Sequence, residues 1–243
     1  MIICAAQLRS VAADIQANHA KHFRLIDLAL AHGADLVVFP ELSLCGYQPR
    51  LARSLARHAD DPRLDGFQRT SDANGLIIGV GMPLCFGADI QIAMVWFAPH
   101  MPRRVYAKQR LHVDEQPYFV PGDQSLLLER GEHKLAPAIC YESLQPDHAD
   151  NAAAMGANVY LASVAKSVGS LAMASAHYPS VAHRHGMYVV MANCVGPCDG
   201  FFSAGQSAAW GLRGELLAQM SADQEGVVVL DTRLGTASVH GLG

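Results

Sequence analysis

Residues 18–41 read NHAKHFRLIDLALAHGADLVVFPE, and this stretch decides the class of fold. Its first part, 18–32, carries apolar side chains at helical spacing, and Gly33 follows as the left-handed residue that commonly ends a helix. Residues 35–39 are then an apolar run of strand length, which Pro40 stops. A helix that leads into a buried strand is typical of α/β layers, in which helices cover a sheet.

The same alternation continues along the chain. Pro146 suits the first turn of a helix that ends at Gly156. The segment GANVYL at 156–161 resembles GADLVV at 33–38. Either a turn between a helix and a strand commonly has this composition, or the chain consists of two similar halves, each a sheet with helices on one side. Further strands are predicted at 2–8, 76–80, 92–97, 135–139, 159–163, 188–192 and 227–230.

The composition indicates a compact protein with a large core. The chain has 243 residues, 51% of them hydrophobic and only 16% charged. The usual charged share is about 25%, so a disordered chain is excluded. No linker or low-complexity segment interrupts the sequence, so we expect residues 1–243 to form a single domain. The net charge of -4 offers no basic excess, so neither nucleic acid nor a membrane surface is expected as a partner.

The sequence also carries expectations about compartment. The amino terminus has no positive segment followed by an apolar run and a cleavage site, so no signal peptide is expected. The longest stretch without a charged residue or histidine, 73–88, contains four glycines and a proline, which disfavours a membrane span. A chain of this length does not need its six cysteines as disulfides, and we expect reduced thiols in a cytoplasmic protein.

Three segments carry side chains that are suited to chemistry. Glu41 follows Phe-Pro after the strand at 35–39, and the ends of such strands are where α/β proteins place reactive groups. Lys108 lies in an irregular segment, and Glu115 is seven residues further on. Cys140 ends the strand at 135–139, before a turn and a helix whose N–H groups favour a thiolate. Each residue taken singly has a commoner interpretation. Glu41 would be an exposed acid in a loop, Lys108 a solvated lysine, and Cys140 a buried structural thiol.

Taken in order, the three segments resemble the nitrilase superfamily of carbon–nitrogen hydrolases over nearly the whole chain. The resemblance implies a four-layer αββα sandwich and a triad of Glu41, Lys108 and Cys140. Cys140 would attack a carbonyl carbon, Glu41 would carry the proton, and Lys108 would hold the oxyanion together with the backbone N–H of Tyr141. Glu115 matches a frequent second glutamate of the family, which either orients Lys108 or the substrate or is a plain ion-pair partner.

The segments that are expected to border the substrate depart from common patterns of the family. Where many relatives carry Asn-Pro-Ala, this chain has LASVAK at 161–166, and we expect Ser163 within it to contact the substrate or the oxyanion. The reaction class therefore transfers better than the substrate. We expect hydrolysis of a small carboxamide to an acid and ammonia. The alternatives are N-carbamoyl hydrolysis, nitrile hydrolysis, and an inactive binding protein on the same fold.

Neither a cofactor nor a metal is expected. His183 and His185 are two residues apart, which places them on different faces of a helix, and no His-Glu-x-x-His motif is present. Cys194 and Cys198 lack the second pair that a structural zinc site requires. The sequence ends soon after Leu230, without the long extension of filament-forming nitrilases, so we expect a homodimer.

Overall fold

The computed structural model describes all 243 residues, and two sheets dominate it. The strands of the first sheet are β1 (Ile2–Gln7), β2 (Leu36–Val38), β3 (Ile77–Phe86), β4 (Asp89–Phe97), β5 (Arg104–Ala107), β14 (Gly226–Asp231) and β15 (Thr236–Gly241). Their order across the sheet is β15-β14-β1-β2-β3-β4-β5. The β1, β2 and β3 strands are parallel, and the outer strands are antiparallel.

The second sheet has six strands in the order β13-β12-β9-β8-β7-β6, and β7, β8 and β9 at its centre are parallel. Its strands are β6 (Leu128–Arg130), β7 (His133–Ile139), β8 (Val159–Val164), β9 (Tyr188–Asn193), β12 (Ala208–Trp210) and β13 (Leu216–Gln219). A separate hairpin pairs β10 (Val195–Cys198) with β11 (Phe201–Ala204). The helices are α1 (Ile15–Ala31), α2 (Ala52–Leu55), α3 (Asp65–Asn74), α4 (Pro146–Ala154) and α5 (Val168–His185).

Three layers of buried side chains define the packing of these elements. Along β1, Ile3 and Ala5 point into a core of 32 residues that both sheets share, whereas Cys4 and Ala6 point into a core of 22 residues with α1 and α3. A third core of 19 residues lies between the second sheet and the pair α4 and α5. Successive side chains of a strand point to opposite faces, so each sheet is buried on both sides. The result is the predicted four-layer αββα sandwich.

The helix that the sequence predicts at 18–32 begins three residues earlier, at Ile15. Asp14 is the reason, because its carboxylate accepts a hydrogen bond from the Ala17 N–H at 2.9 Å and caps the first turn. Gly33 has a φ of +71°, as its predicted place after the helix requires. No helix in the chain is both long enough and apolar enough to span a bilayer.

Several elements differ from the sequence prediction in extent. The strand predicted at 76–80 continues to Phe86 as part of a long hairpin with β4. Lys108 lies in an irregular segment, as predicted, but this segment directly follows β5, which the sequence analysis did not predict. The sequence shows no apolar run at β5, because this strand lies at the edge of the sheet and exposes Arg104 and Val105 to solvent.

Candidate active site

Three strand ends meet between the sheets. Glu41 follows β2, Lys108 follows β5, and Cys140 follows β7. The first two strands belong to one sheet and the third belongs to the other, so face-to-face packing brings together residues that are far apart in sequence. The Cys140 thiol lies close enough to Glu41 to interact with its carboxylate. The three residues that the sequence analysis selected therefore form one cluster.

The loop that carries Glu41 is held tightly against β3. The Leu44 N–H donates to the Gly81 carbonyl at 3.0 Å. A Cβ atom at Gly81 would lie 2.4 Å from the Pro40 carbonyl oxygen, so only glycine fits at this position. Leu42, directly after Glu41, has a φ of +52°, which side-chain-bearing residues rarely adopt. This close approach fixes the direction of the Glu41 side chain.

Lys108 bridges two carboxylates in the interior. Its Nζ donates to Glu41 Oε1 and to Glu115 Oε1, each at 2.7 Å, and all three side chains are at most 1% exposed. The Tyr47 hydroxyl donates to Glu115 Oε1 at 3.0 Å, and the His112 N–H donates to Glu115 Oε2 at 2.8 Å. Glu115 is thus fixed by three donors and holds the Lys108 ammonium in place. Of the two roles that the sequence analysis left open for Glu115, this geometry favours orientation of Lys108.

Burial and mutual charge determine which groups hold protons. Burial raises the pKa of Glu41 to about 7, although Lys108 and the Cys140 thiol favour its ionised form. Burial lowers the pKa of Lys108, but the negative charges of Glu41, Cys140 and Glu115 outweigh this and raise the pKa above its usual value. Burial and Glu41 raise the pKa of Cys140 to about 12, against the opposing effects of Lys166 and Lys108. The resting state is therefore a thiol beside a buried carboxyl group.

Glu41 retains one free acceptor. Its Oε1 accepts a hydrogen bond from the Lys108 ammonium, whereas its Oε2 is buried and has no hydrogen-bond partner within the chain. A buried carboxylate oxygen without a donor costs free energy, and a catalytic role is one explanation for such an unpaired group. The free oxygen is available to accept a proton from the Cys140 thiol.

Cys140 occupies a sharp turn at the end of β7. Its φ of +49° is unusual for a residue with a side chain. Its N–H donates to the Ser163 carbonyl at 3.0 Å, and its carbonyl accepts from the Ser143 N–H at 3.2 Å and from the Ser143 hydroxyl at 2.6 Å. The N–H of Tyr141 donates to no backbone carbonyl. The turn therefore places the Tyr141 N–H, which has no backbone acceptor, next to the residue that carries the thiol.

Glu142 is a buried residue that the sequence analysis did not assign. Its Oε1 accepts from the Ile139 N–H at 2.7 Å and from the Tyr106 hydroxyl at 2.8 Å. Its Oε2 accepts from the Gln109 N–H at 2.6 Å and from the Arg110 N–H at 3.2 Å. One carboxylate thus joins the turn after β7 to the segment that follows Lys108. A signal was present in the sequence, because an acid three residues after a buried strand needs partners if it is buried.

Ser163 does not contact the cavity, and the expectation that it binds substrate is wrong. Its side chain is 1% exposed, and its hydroxyl donates to the Phe39 carbonyl at 2.6 Å and contacts Met94 Sδ at 3.1 Å. The reason is the alternation of side chains along β8, which turns Ser163 toward the first sheet. Lys166, three residues further on, lines the cavity instead.

A cavity of about 580 Å³ opens at Cys140. Cys140, Tyr141 and Glu115 form part of its wall, whereas Glu41 and Lys108 are buried behind it. No group of three or more His, Cys, Asp or Glu side chains is arranged to hold a metal ion. The other lining residues are Tyr47, His112, Asp114, Leu144, Gln145, Ala165, Lys166, Ser167, Ser170, Met173, His177 and Phe201.

Comparison with known proteins places the chain in a family. Residues 2–239 match the family model described as carbon-nitrogen hydrolase, and the chain belongs to this family. Solved structures of an amidase from Nesterenkonia sp. AN1, a member of the nitrilase superfamily, are similar to it. One is 26% identical, with a TM-score of 0.87 over 95% of this chain and 92% of that chain. Another, of a variant in complex with butyramide, is 25% identical, with a TM-score of 0.88 over 97% and 92% of the two chains.

Curated relatives fall into two groups. A nitrilase from Pyrococcus abyssi is 28% identical over 89% of this chain and 84% of its own length. A glutamine-dependent NAD(+) synthetase from Aquifex aeolicus is 26% identical over 96% of this chain. The chain spans only 42% of the length of that synthetase. These similarities show a carbon–nitrogen hydrolase of the nitrilase superfamily and leave its substrate open.

Proposed function

We propose that residues 1–243 act as a single catalytic domain that hydrolyses a small carboxamide to a carboxylic acid and ammonia through a thioester on Cys140. The observation that carries this proposal is the buried bridge of Lys108 between Glu41 and Glu115 next to the Cys140 turn. The shared core of 32 residues between the sheets supports a single domain. The steps proposed below use only groups of the chain, the substrate and water.

The first half of the reaction forms the thioester. The Cys140 sulfur attacks the amide carbon while the thiol proton moves to the free Oε2 of Glu41. The negative charge that develops on the substrate oxygen is stabilised by the Lys108 ammonium and by the Tyr141 N–H. The C–N bond then breaks, Glu41 returns the proton to the leaving nitrogen, and ammonia departs.

The second half releases the acid. Glu41 takes a proton from a water molecule, whose oxygen attacks the thioester carbon. The same two donors stabilise the second oxyanion. The C–S bond breaks, the sulfur regains a proton from Glu41, and the carboxylic acid leaves. Because the pKa of Cys140 is raised to about 12, the thiol loses its proton only as it attacks.

A screen of small amides with ammonia detection tests the proposal. The wild-type protein is expected to release ammonia and the matching acid, and Cys140→Ser is expected to be inactive. Cys85, which is only partly buried, provides a matched control as Cys85→Ser and should retain activity. Limited alkylation with peptide mapping should show activity falling in step with modification of Cys140. Activity that survives full modification of Cys140 would exclude it as the nucleophile.

Product analysis separates this proposal from its alternatives. An N-carbamoyl hydrolase would release carbon dioxide as well as ammonia, and a nitrilase would act on nitriles. Glutamine is a second candidate substrate, because the curated relatives include glutamine-dependent synthetases. A protein that binds amides but forms no acid and no thioester would be the inactive binding protein.

A further inference from the structure

Lys166 is a second cation at the cavity, and the proposed reaction does not use it. Its side chain is among the most deeply buried of the chain, with 2% exposure for the residue, yet it lines the cavity. Its charge lowers the pKa of Cys140 and of His177, so the ammonium lies near both. The carboxylates at the cavity are engaged elsewhere, Glu115 with Lys108 and Asp114 with His112. Lys166 therefore has no anionic partner within the chain.

The backbone holds Lys166 rigidly in this position. Its N–H donates to Asn193 Oδ1 at 2.9 Å. Its carbonyl accepts from the Ala204 N–H at 2.8 Å, from the Ser203 hydroxyl at 3.1 Å and from Asn193 Nδ2 at 3.3 Å. Four hydrogen bonds thus fix the origin of a long, flexible side chain. Such preorganisation is what a binding site for a charged group requires.

The amino-terminal end of α5 adds to the positive potential. This helix of 18 residues begins at Val168, directly after Lys166 and Ser167, and its first turn contains no acidic residue. Ser167 and Ser170 line the cavity, so the free N–H groups of the first turn lie at its edge. His177 lines the cavity from the same helix, and its Nε2 is buried without a hydrogen-bond partner.

These observations share one electrostatic consequence. Lys166 lines the cavity on a side chain that is otherwise buried, and its ammonium lacks a counter-charge, so an anion that binds beside it is stabilised. The Ser170 hydroxyl donates to the Ser167 carbonyl at 3.2 Å, so the helix terminus and the Ser167 hydroxyl are the groups that can offer further hydrogen bonds to such an anion. The part of the cavity wall formed by Lys166 and the first turn of α5 is therefore suited to bind a negative group.

We propose that the substrate is a short amide that carries a carboxylate, and that this carboxylate binds at Lys166 and the first turn of α5 while the amide carbon lies at Cys140. The inference rests on the proposed amide hydrolysis and adds the substrate class. The monoamides malonamate, succinamate and glutaramate present a carboxylate at increasing distances from the amide. The monoamide with the highest kcat/KM indicates the distance between the anion site and the Cys140 sulfur.

Binding to an inactive protein tests the site independently of turnover. Calorimetry with Cys140→Ala compares succinamate with levulinamide, in which a neutral methyl ketone replaces the carboxylate. We expect succinamate to bind at least about tenfold more tightly, and Lys166→Met in the same background to abolish the difference. Lys166→Arg keeps the charge and should retain part of it. Lys134→Met, a change at an exposed lysine, should leave it intact.

Turnover by the wild-type protein completes the test. The ratio of kcat/KM for succinamate to that for levulinamide should exceed about ten and should fall toward one in Lys166→Met. Equal binding of the two compounds by Cys140→Ala, or a preference that survives Lys166→Met, overturns the inference. If neutral amides are hydrolysed without preference for the anionic ones, the proposed function stands and the substrate class is wrong. If Lys166-dependent binding is found but no amide is hydrolysed, the anion site stands and the proposed reaction is wrong.

Discussion

Lys108 contacts two carboxylates, Glu41 and Glu115, in the interior of the protein. Two carboxylates and one ammonium carry a net negative charge when all are ionised, and no solvent is present to screen it. Burial raises the pKa of Glu41 to about 7, and the charge of Glu115 adds to this effect, so a proton on Glu41 restores neutrality near neutral pH. Glu115 accepts hydrogen bonds from three donors, which hold its carboxylate in place beside Lys108. The two carboxylates therefore have different proposed roles: Glu41 carries the proton, and Glu115 positions Lys108.

The first prediction concerns the pH dependence of kcat/KM. Glu41 must be ionised to accept the thiol proton, so kcat/KM should rise with pH and reach half its maximum near the Glu41 pKa of about 7. Glu41→Gln should fold and lose a factor on the order of 10² to 10⁴ in rate. Initial rates between acid and neutral pH test this. A profile that stays flat well below neutral pH would assign the proton transfer to another group.

The second prediction concerns Lys108→Met, which removes the charge and keeps most of the volume. The ammonium acts on charge that develops in the transition state, so kcat should fall by about 10² to 10³ with little change in KM. Steady-state kinetics beside Lys134→Met, at an exposed lysine, provides the comparison. An unchanged kcat with a raised KM would instead assign Lys108 to binding of the substrate in its ground state.

At the scale of elements, the site depends on turns that follow strands. Glu142 joins two of them, because its carboxylate bonds to Ile139 at the end of β7 and to Gln109 and Arg110 after β5. These two strands belong to different sheets. The distance between Cys140 and Lys108 is therefore set by a side chain outside the triad.

The third prediction follows for Glu142→Gln. An amide cannot accept from all four donors, and a buried N–H left unpaired costs about 1–3 kcal/mol of stability. The two turns should also shift relative to each other, which lowers kcat by a factor on the order of 10². Chemical denaturation and kinetics measure the two effects. Glu129→Gln, at an exposed position of the second sheet, is the control, and equal behaviour of the two variants would show that Glu142 does not position the site.

Sequence alone was sufficient for elements with strong local patterns and insufficient for those without one. The central strands β1, β2, β7, β8 and β9 are apolar runs, so they were predicted close to their observed bounds. The short strands after Cys194 mix glycine, serine and proline with apolar residues and carry no clear period. Of helix α5, the sequence analysis placed only His183 and His185 on a helix, because Pro179 lies inside it and argues locally against a continuous helix.

At the scale of the whole molecule, the packing of two sheets creates the site. The order of Glu41, Lys108 and Cys140 along the chain was recognisable, whereas the direction of Ser163 was not. That direction depends on which face of β8 meets the other sheet, and hydrogen bonding to Phe39 across the interface fixes it. The importance of Lys166 was equally hidden, since an unpaired buried charge is visible only in three dimensions.

The fourth prediction concerns assembly. Val168 on α5 and Phe202 on β11, which contacts α5, are 77% and 71% exposed, and an apolar patch that includes both would be suited to contact between subunits. We expect a homodimer that uses this surface, with a mass of about twice the 26.0 kDa of one chain by light scattering. Phe202→Ser should weaken the dimer. A wild-type monomer at micromolar concentration would contradict the prediction.

The fit of Gly81 beneath Pro40 has a consequence for how this enzyme can change. A Cβ atom at Gly81 would displace the Pro40 carbonyl and with it the Glu41 loop, so a saturation scan for activity should find residue 81 about as intolerant as a reacting residue. The loop after β2 therefore keeps its conformation only when the strand beneath it, β3, has glycine at position 81. Chimeras that exchange the loop between relatives will function only when the recipient strand supplies glycine at the matching position.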